Sequence, residues 1–164
     1  MGRDKKTNAA RILDERGIKY ELIQFEPDKN DLSAEKAARD IGMPYDAVYK
    51  TLVVRGSMTG IMEVCIPAGT ELDLKALSAL SGNKSASLVP LKEVMPLTGY
   101  VRGGCSPIGG KRDYPVYIFE DALKRESIVV NAGARGLMFL MSPRDLIRVT
   151  NAVPGRVAKS MAKP

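Results

Sequence analysis

The chain has 164 residues, is 45% hydrophobic and 27% charged, and carries a net charge of +6, values of an ordinary globular domain with chain enough for a full core. No apolar run reaches the length of a membrane span, and the polar start, Met1 to Lys6, has no apolar segment behind it, so a cytoplasmic location is expected. There are two cysteines and no histidine, which removes Ser-His and Cys-His nucleophiles and gives a zinc site almost no support.

The elements follow in chain order. Residues 7–16 read as a short helix capped by Thr7 or Asn8, with Ala9, Ile12 and Leu13 inward and Gly17 as its stop. Residues 18–25 alternate and predict a strand. Ser33 caps a helix with Ala34, Ala37, Ala38 and Ile41 on one face, ended by Gly42 and Pro44. Val48 to Val54 and Ile61 to Ile66 are β-rich runs joined as a hairpin through 55–60. Asp73 caps a further helix with Leu74, Leu77 and Leu80 inward. Ser85 to Val89 is a possible strand, and Pro90 is placed to open a helical turn. Val116 to Phe119, Ile128 to Val130 and Leu137 to Met141 read as strands. Ser142-Pro-Arg-Asp145 supplies a cap, a proline and an acid for a last helix.

Residues 1–152 are read as one domain and 153–164 as a loose basic tail. Over residues 144–164, Arg144, Arg148, Arg156, Lys159 and Lys163 stand against Asp145 alone, and could join Arg102, Lys111 and Arg112 in a face that attracts a polyanion. A solubilising tail explains the same residues. No long crossover helices separate the strands, so the expectation is a mixed α/β domain with a curled, mainly antiparallel sheet flanked by short helices.

Two features carry chemistry. The run Gly99 to Arg112 holds five glycines, a Ser-Pro turn, three cations and no acid. Such turns let backbone amides approach and bind an anion, although a surface hairpin with a charged tip fits as well. It is not a P-loop. Cys105 stands where the first glycine belongs, Arg112 replaces the hydroxyl residue, and Pro107 deletes an amide. The second feature is Lys50, which alternation places on one face with Val48, Leu52 and Val54. Either it snorkels to the sheet's edge or it is held in a pocket to meet an anion or carbonyl. Cys105 has no base to activate it, and Cys65 reads as core.

Val48-Tyr-Lys-Thr-Leu-Val-Val54 and Thr98-Gly-Tyr-Val-Arg-Gly-Gly-Cys-Ser-Pro-Ile-Gly109 together closely resemble the YbaK/EbsC family of aminoacyl-tRNA deacylases, related to the editing domain of bacterial prolyl-tRNA synthetases. Gly17 to Tyr20, Glu71 to Lys75 and Gly133 to Leu137 extend the resemblance over roughly residues 7–150.

The resemblance implies action in trans on mischarged tRNA, with the 3′-terminal adenosine and its esterified amino acid as ligand. It implies no metal or cofactor, and makes prolyl-tRNA synthetase a plausible partner. Lys50 matches the family's lysine, and Gly103, Gly104, Ser106 and Pro107 match the loop beside the carbonyl, whose amides could stabilise an oxyanion. Tyr49 and Thr51, which flank the lysine, are implied substrate-binding positions, as are Phe25, Asn131, Gly133 and Met138. In cysteine-editing members the substrate's thiol attacks its own carbonyl to release a thiolactone, a lyase-like route; others use water, as hydrolases. Phe25, Asn131 and Met138 stand where a Tyr, a Ser and an Asp are expected. The implied amino acid is cysteine, with alanine or another small residue as rival. A binding module without catalysis remains open.

Overall fold

The computed structural model describes residues 6–161. Helix α1, Asn8–Glu15, starts where the Thr7 hydroxyl accepts the Ala10 amide, and buries Ala9, Ala10 and Leu13. The expected strand at 18–25 is shorter, β1 at Glu21–Gln24. Residues just before it finish the helix instead, since the Ile18 amide donates to Leu13 O at 2.9 Å. Helix α2, Ala34–Ile41, is capped by Ser33 and stopped by Gly42 as the sequence predicts.

Strands β2, Tyr49–Gly56, and β3, Gly60–Pro67, form a hairpin with Lys50 opposite Ile66 and Thr51 opposite Cys65. Then come β4 (Thr70–Leu72), α3 (Leu74–Ser81), β5 (Ala86–Leu88) and α4 (Leu91–Thr98). Leu77 of α3 is fully buried, whereas Leu80, expected inward, is 40% exposed and lies over Gly155. After the glycine-rich loop follow β6 (Val116–Phe119), β7 (Ile128–Ala134), β8 (Leu137–Met141) and α5 (Pro143–Thr150).

One sheet has the order β5-β2-β3-β6, and a second has β1-β8-β7. A lone bridge between Val48 and Val129 stitches β2 to β7 and so joins the two sheets. Met62, Val64, Ile66, Ile118, Val130 and Phe139 fill the core, all fully buried. Pairing is mostly antiparallel, with β3 and β6 parallel. No helix among the described residues is long and apolar enough to cross a membrane.

The loose tail expected from residue 153 is instead ordered structure. Val153–Gly155 forms β9, parallel to β6, and Ala158–Ser160 forms β10, antiparallel to β4. Val157 is fully buried and its carbonyl accepts the Asp73 amide at 2.8 Å. The cations of this region are also partly neutralised. Arg156 lies over the Phe119 ring and pairs with Glu120 and Asp121, and Arg148 pairs with Asp145. Strands of three residues bind through the sheet edges that receive them, and their own composition does not announce them.

Candidate active site

A cavity of about 400 Å³ opens between α2, β2, α4 and the glycine-rich loop. Strand β2 supplies Tyr49, Lys50 and Thr51 to its wall. Phe25 and Met138 come from the second sheet and its margin, and Leu32, Leu88 and Val94 add aliphatic surface. Lys50 is thus in a pocket, resolving the choice left open by its sequence. Its side chain is 22% exposed, and its ammonium stands 3.5 Å from Glu35 Oε2.

Glu35 is not legible in the sequence as part of a site. In the first turn of α2 it reads as an ordinary partner of the helix dipole. Folding brings its Oε2 to both Lys50 and the Gly69 amide, the latter at 2.5 Å. Burial pushes this carboxyl up, but the Gly69 hydrogen bond and the Lys50 ammonium outweigh it and hold the group below its usual range.

The glycine-rich loop is the opposite wall. Gly103 and Cys105 line the cavity, as does Arg102, whose carbonyl accepts from Arg135 Nε at 2.8 Å. Gly104, Ser106 and Pro107 lie behind it, all buried. The Gly104 amide donates to Val101 O at 2.9 Å and so already has an acceptor, while the Gly103 and Cys105 amides have none among the described residues. The Ser106 hydroxyl accepts from the Ile108 amide at 3.2 Å. These buried members shape the loop.

Asn131 lines the cavity, but its polar atoms serve the protein. Its Nδ2 donates to Gly103 O at 3.1 Å and to Ala134 O at 3.2 Å, and its Oδ1 accepts from Gly133 N at 2.6 Å and Ala134 N at 3.1 Å. It therefore clamps the bulge in β7 to the glycine-rich loop. Gly133 belongs to that bulge, with φ near +103°, and does not reach the cavity. Met138 offers only a thioether where a carboxylate was expected. Burial pushes the Cys105 thiol up to about 12, with the charge of Glu63 adding to it, so a thiolate nucleophile is absent at neutral pH.

The geometry is a lysine facing a glycine-rich loop across an apolar pocket. The family model for the aminoacyl-tRNA editing domain matches residues 28–149, a span holding both walls. The chain belongs to the aminoacyl-tRNA editing domain family. EbsC of Enterococcus faecalis, named as a candidate Cys-tRNA(Pro)/Cys-tRNA(Cys) deacylase, is 40% identical over 147 residues, 90% of each chain. YwhH of Bacillus subtilis, an uncharacterized protein, is 26% identical over 126 residues, 77% of this chain and 78% of its own.

Solved structures of similar shape include the hypothetical protein APE2540, at TM-score 0.84 and 26% identity over 93% of this chain and 100% of that one. Another, described as a candidate trans-editing enzyme for prolyl tRNA synthetase, has TM-score 0.78 and 25% identity over 96% of this chain and 100% of that one. The family resemblance read from Lys50 and the loop therefore holds, as does the mixed α/β fold expected of this editing domain.

Proposed function

We propose that the chain is a trans-acting deacylase that cleaves the ester of mischarged tRNA, with Cys-tRNA(Pro) as preferred substrate. The observation that carries this is the shared cavity: Lys50 and the exposed Gly103 line the same pocket of about 400 Å³. An aminoacyl ester is already activated, so positioning and electrostatics are enough to cleave it. The Lys50 ammonium orients the ester or its terminal ribose and phosphate. The amides of Gly103 and Cys105, cavity-lining residues, serve as oxyanion donors, and Gly104 holds the turn between them.

The attacking group comes from outside the protein. For a cysteinyl ester, the substrate sulfur bonds to the carbonyl carbon and the tRNA oxygen leaves with the thiol's proton. For alanyl or other small esters, water attacks and the free amino acid departs. The aliphatic wall of Leu32, Ala37 and Val53 favours a small, uncharged side chain. Arg102 and Arg135 at the rim suit the phosphates of the tRNA end, and a prolyl-tRNA synthetase is the partner proposed to present it.

The test is deacylation of Cys-tRNA(Pro), Ala-tRNA(Pro) and Pro-tRNA(Pro) by wild type and Lys50→Ala. Cleavage of the cysteinyl ester is expected, falling by about 100-fold or more in the variant, as displacement of a positioning group does, with the thermal midpoint kept. Salt-dependent tRNA binding without cleavage of any ester would replace the enzyme by a binding module. Met138 in place of a carboxylate is the observation favouring that outcome.

A further inference from the structure

We infer that Glu35 is the positioning residue for Lys50: its carboxylate fixes where the ammonium stands in the cavity and balances its charge there. The inference rests on the role given to Lys50 above. One oxygen, Glu35 Oε2, stands 3.5 Å from Lys50 Nζ and accepts the Gly69 amide at 2.5 Å. Helix α2, strand β2 and the turn between β3 and β4 thus meet at a single atom.

A lysine side chain is a flexible four-carbon stem with many rotamers to lose when it is held in one place. On an open surface a partner carboxylate adds little order. Here both side chains are only 22% exposed, and the carboxylate is itself held, by the first turn of a helix and by a backbone N–H. The neighbouring cation Lys36 is already paired with Asp40 at 2.7 Å, which leaves Glu35 to Lys50. Glu35 does not line the cavity, so it acts on substrate only through the lysine. An ammonium has three donors. Pairing with Glu35 on one side leaves donors for an ester or phosphate oxygen on the other.

The experiment uses the full chain with Glu35→Gln, Glu35→Asp and Lys50→Ala. Gln keeps an acceptor for the Gly69 amide and removes only the charge. Steady-state cleavage of Cys-tRNA(Pro), thermal midpoints and the ¹H–¹⁵N resonance of the Lys50 ammonium are measured together. Glu35→Gln is expected to lower kcat about tenfold, equivalent to about 1.4 kcal/mol, with KM changed less than about twofold and the thermal midpoint kept. Glu35→Asp, which restores the charge at shorter reach, recovers part of the rate. The ammonium resonance, protected in the wild type, broadens in Glu35→Gln as exchange with water quickens.

Wild-type kcat and an unaltered ammonium signal in Glu35→Gln would overturn the assignment. So would a loss of rate that only tracks a fallen midpoint. If the wild type cleaves none of the three esters, the functional reading fails by itself, and the ammonium signal still decides whether Glu35 holds Lys50.

Discussion

The two walls of the cavity are built by opposite means. Strand β2 is held on both sides by ladders, to β3 along eight residues and to β5 near its end, so Lys50 takes its place from a regular register. The facing loop has no ladder. It is tied down by single polar contacts: three from distant segments, Asn8 Nδ2 to Gly109 O, Asn131 Nδ2 to Gly103 O and Arg135 Nε to Arg102 O, and one within the loop, Tyr100 OH to Ile108 O. A ladder shares any local loss among its neighbours. A bracketed loop fails one bracket at a time, and what it loses is the placement of its amides, before the fold is lost.

Substitutions on the two walls separate these two modes of support. The largest effect is expected from the ladder side, at Glu63 in β3, which is buried opposite Val53. Burial pushes its carboxyl up to about 7 from 4.5. The folded chain therefore keeps a proton that the unfolded chain has released, and stability falls as pH rises from about 4.5 to about 7, then levels. The swing is roughly 3 kcal/mol at most. Glu63→Gln should flatten this slope and raise the thermal midpoint at pH 8; an unchanged slope in thermal melts would remove Glu63 as its source.

Next is Gly104→Ala on the loop side. A Cβ there would stand 3.1 Å from Ala134 C and Arg135 N, and backbone yields less readily than a side-chain tip. The crowding should cost about 2 kcal/mol and displace the loop, lowering deacylation more than the thermal midpoint suggests. Equal activity in the two proteins would mean the loop relaxes freely.

Asn131→Ala removes the clamp on two loops and leaves the Gly133 and Ala134 amides unpaired. A loss of about 1–2 kcal/mol is expected, with faster hydrogen exchange confined to 101–110 and 131–136. Uniform acceleration across β2 and β3 would show that the loop is not a separate unit. The smallest effect belongs to Cys105→Ala, expected to keep deacylation within about twofold, because the thiol is neutral. A large loss would restore the nucleophile reading.

Much of the ladder side is legible in the sequence. Thr7, Ser33, Asp73 and Ser142 each cap the helix assigned to them, and the alternating run around Lys50 pairs as a hairpin. These are local rules, satisfied within a few residues. Beyond them the pattern is silent. Strands β9 and β10 read as a tail, since three residues carry no period of their own. Asn131 reads as a substrate contact, although its amide is engaged by backbone that lies near it only after the bulge in β7 forms. Glu35 reads as a helix-start acid.

By itself, the sequence determined the helices and their caps, the β2–β3 hairpin, the absence of an imidazole and the chemical kind of the site: a lysine and a glycine-rich loop. Only the tertiary structure decided that Lys50 faces a pocket, that Glu35 meets it there, that β9 extends one sheet while β10 pairs with β4, and that the Gly104 amide is already engaged. The physical reason is range. Capping and alternation act over a few residues, whereas an ion pair or a backbone acceptor joining segments far apart in sequence exists only once both have been packed into place.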